Sequence, residues 1–81
     1  DDMDRRILVA LVEKFNGGPV GVGSLAVAVS EDTNTVEDVY EPFLIKEGFI
    51  QRTPRGRKAL DKTFKYLNVE IPNQDNQKEI F

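Results

Sequence analysis

Phe49-Ile50-Gln51-Arg52-Thr53 is β-favouring, Pro54-Arg55-Gly56 supplies turn chemistry directly after it, and Arg57-Lys58-Ala59 can return as a second strand. The leading apolar pair spoils strict alternation, yet a hairpin remains the natural reading. The stretches before it carry helical periodicity. Met3, Ile7, Leu8, Leu11, Val12 and Phe15 fall on one stripe of a 3.6-residue helix. Asp1, Asp2 and Asp4 crowd its start, where carboxylates meet unpaired N–H groups, and Gly17-Gly18 stand where a left-handed cap is wanted. Pro19-Val20-Gly21 suits a short connecting strand or turn. Ser24 can cap a brief helix made of Leu25 to Val29.

Ser30 to Asn34 reads as a polar turn, and Asn34 with Glu37 three residues on resembles a capping box, so a third helix is expected from Thr35. Its inward stripe would be Val36, Val39, Tyr40, Phe43 and Leu44, and Gly48 would end it. Pro42 lies inside that pattern, removing one backbone hydrogen bond and crowding the preceding turn, so a kink or a break is expected near Asp38 to Pro42. Ile45 faces outward on a straight helix and inward on a kinked one; the core is the favoured place. Leu60, Phe64 and Leu67 begin a final helix, with Lys62 and Lys65 off its stripe. From Asn68 the chain turns polar and carries Pro72, so residues 68–81 are expected to be a disordered tail. The order helix, short strand, helix, helix, hairpin is that of a winged helix-turn-helix, mainly α with a small β-hairpin, over residues 1–67.

Eighty-one residues, 40% of them apolar, make one small domain. Absence of cysteine and histidine removes disulfides, Cys/His zinc sites, Cys–His or Ser–His nucleophile pairs and imidazole bases together. No apolar run approaches a membrane span, so a soluble domain with no membrane partner is expected, and the lack of cysteine fits the cytosol. Glu37, Asp38 and Glu41 read as solvated acids on the outer face of the third helix; as paired catalytic carboxylates or a cation site they are weakly supported, with no aromatic cleft nearby in sequence. Gly17, Gly18, Gly21 and Gly23 lack the spacing of a phosphate loop. No catalytic or metal residue is assigned.

Charge is unevenly distributed. The net −3 combines −6 over residues 1–48, +5 over residues 49–67 and −2 in the remainder. A recognition helix in the major groove would present Arg, Lys, Asn or Gln to the bases, whereas the outward positions of the third helix carry Glu37, Asp38 and Glu41 with Lys46 alone in compensation. If the domain meets DNA, the hairpin leads. Arg55 and Arg57 flank Gly56 at the expected turn tip, where two guanidinium arms can straddle a phosphate backbone or enter a narrow minor groove. As free arms, both could be replaced with little change in melting temperature. Docking on an acidic protein surface, or simple solubility, are the competing readings of the basic hairpin.

Met3-Asp4-Arg5-Arg6-Ile7-Leu8, Gly17-Gly18-Pro19-Val20-Gly21, Glu37-Asp38-Val39-Tyr40-Glu41-Pro42-Phe43-Leu44-Ile45 and Gly48-Phe49-Ile50-Gln51-Arg52-Thr53-Pro54-Arg55-Gly56-Arg57 resemble the C-terminal winged-helix domain of RuvB. The resemblance covers residues 2–67. It implies part of a cytoplasmic bacterial motor for Holliday-junction branch migration, in DNA recombination, repair and the SOS response. Such a motor is a homo-hexameric AAA+ helicase around duplex DNA at four-way junctions; it uses ATP with magnesium and works with RuvA and RuvC. None of the ATP-binding, metal-binding or arginine-sensor machinery is expected in this stretch. Arg55 and Arg57 fall on the family's Pro-Arg-Gly-Arg wing motif and are carried over as DNA contacts, while Arg52, Lys58, Lys62 and Lys65 are helpers supported by charge alone. The alternative is a protein-interaction module docking on a neighbouring motor subunit; an acidic third helix disfavours a free-standing transcription regulator.

Overall fold

A computed structural model of the chain describes residues 2–72. Its elements run α1 (Asp2–Phe15), α2 (Val22–Ala28), α3 (residues 33–46), β1 (Ile50–Thr53), β2 (Gly56–Ala59) and α4 (Asp61–Tyr66). The amphipathic stripe of α1 is realised: Ile7, Leu8 and Leu11 are buried against Leu25 and Ala26 of α2, Val36 and Leu44 of α3, Ile50 and Ala59 of the hairpin, and Phe64 of α4. Burying each large side chain stabilises the fold by about 1.5–3 kcal/mol. The winged helix-turn-helix expected from element order is the fold observed.

Past α1, Asn16, Gly17 and Gly18 take positive φ, and Val20 then pairs antiparallel with Arg57. The Val20 N–H donates to the Arg57 carbonyl at 2.9 Å, and the Arg57 N–H donates back at 2.6 Å. Gly18 is required by space as well as by its φ of +84°, since a Cβ there would lie 2.2 Å from the Arg57 carbonyl oxygen. The connecting strand is thereby clamped to the wing's second strand.

Two caps differ from expectation. Helix α2 starts one turn earlier than the Ser24 reading, with Gly21 at its N-cap and Ser24 exposed inside it. Helix α3 starts at Thr33, because the Asp32 carboxylate accepts from the Asn34 N–H at 3.0 Å and the Thr35 N–H at 3.3 Å; Asn34 is not the cap. Its end is as expected: Gly48 has φ +82°, its N–H donates to Ile45, and Phe49 donates to the Leu44 carbonyl.

The middle of α3 departs most from the sequence reading. From Val36 to Tyr40 the backbone widens into a π turn, and the Glu41 N–H donates to the Val36 carbonyl five residues back. Pro42, which follows at once, has no N–H, and its ring would collide with the Asp38 carbonyl in a regular helix, so the wide turn accommodates it. The chain kinks and does not break. One extra residue in the turn rotates everything after it: Val36, Glu41 and Leu44 are buried, whereas Val39 and Phe43, expected inside, are 59% and 48% exposed. Ile45 and Tyr40 are half-buried against the core, the place favoured for Ile45.

Helix α4 begins after Leu60, with Phe64 and Thr63 buried and the Thr63 hydroxyl donating to the Phe49 carbonyl. The fold continues beyond Leu67: the Val69 N–H donates to the Phe64 carbonyl at 2.9 Å and Ile71 packs against the core. The start of the expected tail is thus folded back onto the domain. Residues 73–81 of that expectation lie outside the described residues.

Candidate nucleic-acid interface

Hairpin register decides which cations are available. Ile50 pairs with Ala59, Gln51 with Lys58, Arg52 with Arg57 and Thr53 with Gly56, which leaves Pro54-Arg55 as a two-residue turn. Alternation from the buried Ile50–Ala59 pair places Arg52 and Arg57 on the same inner face, side by side. Two like charges opposite each other in a ladder are destabilising unless an acid lies between them.

Glu41 is that acid. Its side chain is fully buried, and both its oxygens are used: Oε1 accepts from Arg52 Nε at 3.1 Å and Arg57 Nη2 at 3.0 Å, and Oε2 accepts from Arg57 Nε at 2.8 Å. Glu37 completes the cluster, its carboxylate accepting from Arg57 Nη2 at 3.1 Å and its carbonyl from Arg52 Nη2 at 3.2 Å. The Arg57 pKa is raised above the ordinary arginine value, first by its hydrogen bond to Glu41, with burial opposing. The reading of Glu37 and Glu41 as solvated outer-face acids is corrected: Glu41 is buried by the π turn and Glu37 is held by Arg57. Asp38 is exposed, as expected.

The two wing-motif arginines therefore occupy different places. Gly56 belongs to β2 and is buried, its φ of +127° bringing it so near the Val20 carbonyl that a Cβ would lie 2.4 Å from that oxygen. Arg57 is not a free arm at the tip; only 13% of its side chain is exposed. Arg55 is at the tip and exposed, and among the described residues its guanidinium has no hydrogen-bond or ion-pair partner. The turn beneath it is braced by Thr53, whose hydroxyl donates to the Gly56 carbonyl at 2.8 Å and accepts from the Arg55 N–H at 3.2 Å.

The remaining cations also divide. Arg52, 45% exposed, is tied to Glu41. Lys62 donates to the Glu47 carbonyl at 2.6 Å and stands 4.6 Å over the Phe49 ring, which meets Tyr66 edge-on. Lys58, on the outer face of β2, and Lys65, on α4, are exposed without ion-pair partners among the described residues. Glu41 is the residue that sequence reasoning missed. Its signal was present: alternation from Ile50 turns Arg52 inward, and a two-residue turn puts Arg57 beside it.

The model of the RuvB C-terminal winged helix domain matches residues 1–68. The chain belongs to that family. It is 56% identical over 72 residues to the Holliday junction branch migration complex subunit RuvB of Myxococcus xanthus, covering 89% of this chain and 21% of the relative. Against the same subunit of Flavobacterium johnsoniae it is 60% identical over 67 residues, 83% of this chain and 20% of the relative. A solved structure of the Thermotoga maritima RuvB Holliday junction branch migration motor superposes with a TM-score of 0.86 at 44% identity, over 89% of this chain and 24% of that one. The chain thus spans about a fifth of the RuvB relatives it matches.

Proposed function

We propose that this domain grips duplex DNA backbone, without base preference, as the C-terminal part of an ATP-dependent motor that moves Holliday junctions. The observation that carries the reading is the state of Arg55: a guanidinium on a braced turn with no hydrogen-bond or ion-pair partner among the described residues, while its neighbours Arg52 and Arg57 are tied down. A motor must hold any sequence it passes, so contacts to phosphate serve it where contacts to base edges would not. The outer face of α3 exposes Asp38, Val39 and Phe43 along its middle, with Asn34 and Lys46 confined to its two ends, a poor match to a surface that reads a major groove. Lys58 and Lys65 are the helpers on this reading; Arg57 holds the wing and does not reach for phosphate. ATP hydrolysis with magnesium, the hexameric ring and the contacts with RuvA and RuvC are assigned to the whole motor.

Fluorescence anisotropy with duplexes of unrelated sequence tests the proposal. One to three phosphates neutralised per domain give weak binding with a log–log salt slope of about −1 to −3. Arg55→Ala should weaken all duplexes alike and bring the slope about one unit nearer zero. Unchanged affinity would reject the tip as the contact. A second reading, docking on a neighbouring motor subunit, is favoured by the exposure of Val39 and Phe43; it expects their replacement by serine to impair ring assembly in the full-length motor, read by sedimentation, and to spare duplex affinity.

A further inference from the structure

We propose that Glu41 is the positioning residue of the wing, holding Arg52 and Arg57 together so that the hairpin stands at one angle on α3 and presents Arg55 from a fixed place. The inference deepens the DNA-gripping reading and rests on it for the role of Arg55. Among the described residues, the apolar packing that anchors the hairpin to the core is at its base, through Ile50 and Ala59. The next pair outward is Arg52–Arg57, whose charges repel, and beyond it lies the turn that carries Arg55. The Val20 bridge secures β2 from its edge, but what lies under the inner face is Glu41, with hydrogen bonds to both arginines, one from each strand. A carboxylate there ties both strands to one point on α3.

Charge alone makes the opposite prediction. Glu41 is an anion below a DNA-facing wing, so its removal should raise the net charge by one, release two guanidiniums and strengthen duplex binding. Positioning predicts weaker binding in spite of the added positive charge. The sign separates the two accounts.

The experiment uses the 81-residue chain with Glu41→Gln, which keeps the side-chain shape and one acceptor oxygen. Binding to duplex is measured well below the melting transition, with native fold checked by amide spectra. The expected results are a several-fold loss of affinity, a smaller further loss when Arg55→Ala is added than Arg55→Ala causes alone, and faster hydrogen exchange of the Thr53 to Arg57 amides. Where Arg55→Ala weakens binding, equal or tighter binding by a folded Glu41→Gln overturns the proposal; exchange at the wild-type rate overturns it in every case. If Glu41→Gln does not fold, Glu37→Gln decides: it removes only the half-exposed outer contact to Arg57, and should shift affinity and exchange in the same direction by less. No shift in either overturns the proposal. If Arg55→Ala alone leaves affinity unchanged while Glu41→Gln loosens the hairpin amides, the DNA reading fails and Glu41 keeps its positioning role.

Discussion

Arg57→Ala and Arg55→Ala, two residues apart on one hairpin, should differ sharply in their effect on stability. Arg57 supplies two of the three arginine hydrogen bonds to the buried Glu41 carboxylate, at 2.8 and 3.0 Å, and one to Glu37 at 3.1 Å. Removing one partner of a buried ion pair costs about 3–5 kcal/mol, because the other charge is left without compensation in a poorly solvated place. Arg52 stays within 3.0 Å of Glu41, and water can enter where the guanidinium was, so the lower end, about 3 kcal/mol, applies. For a domain of this size, that corresponds to a fall in Tm of about 12–24 °C. The Arg55 guanidinium makes no hydrogen bond or ion pair among the described residues, and its truncation should stay within about 0.5 kcal/mol. Thermal melts followed by circular dichroism, with urea unfolding to confirm an unchanged m-value, check both. Arg57→Lys should fall between, since it keeps the charge but loses the fork that meets both carboxylate oxygens. If Arg57→Ala melts within about 4 °C of the wild type, a shift worth under about 1 kcal/mol, the buried cluster does not hold the wing.

Gly18→Ala should destabilise by about 1–3 kcal/mol, as its Cβ would displace the Arg57 carbonyl and the positive φ disfavours any side chain; urea midpoints measure this. Replacing Val39 and Phe43 with serine should change stability by no more than about 1 kcal/mol, given their exposure, and leave duplex affinity within about twofold; a large affinity loss would place α3 against DNA. The raised pKa of Arg57 means that its contribution is fully present below the ordinary arginine value and is lost only as pH rises through the still higher folded value. Melting temperature should therefore not fall on its account between about pH 7 and pH 9, and a fall that Arg57→Ala abolishes would contradict the pairing.

Element order was legible because it depends on local signals. The stripe of α1, the Gly48 stop and the turn chemistry after Thr53 are each written in a few adjacent residues, and the winged architecture follows from their succession. The caps of α2 and α3 were misplaced by two or three residues because Gly21, Asp32, Ser24 and Asn34 are all acceptable capping residues, and only tertiary packing chooses among them. The site was legible by region and not by residue. Composition located the positive charge in the hairpin, but formal charge does not record that three of the six cations between residues 49 and 67 are already occupied: Arg52 and Arg57 by Glu41, and Lys62 by Glu47. Burial of a glutamate was not expected because an acid on an α-helix with its neighbours outward is counted outward too.

That count fails at the π turn, and the fold and the site meet there. On a regular helix, residues four and seven after Val36 would follow it inward, which selects Tyr40 and Phe43 and sends Glu41 to solvent. With one more residue in the turn, position 41 takes the inward place and 44 follows it, so Glu41 and Leu44 are buried and Phe43 is turned out. The proline is the local cause, since the widened turn relieves the clash its ring would make with Asp38. A regular helix through the same residues would leave Arg52 and Arg57 facing each other over an apolar floor, and a hairpin with two unpaired inward guanidiniums could not lie against α3. Pro42 therefore bears on the wing through the helix: it fixes the phase of α3, the phase buries Glu41, and Glu41 pairs the inward arginines, leaving Arg55 as the arginine of the wing with no internal partner among the described residues.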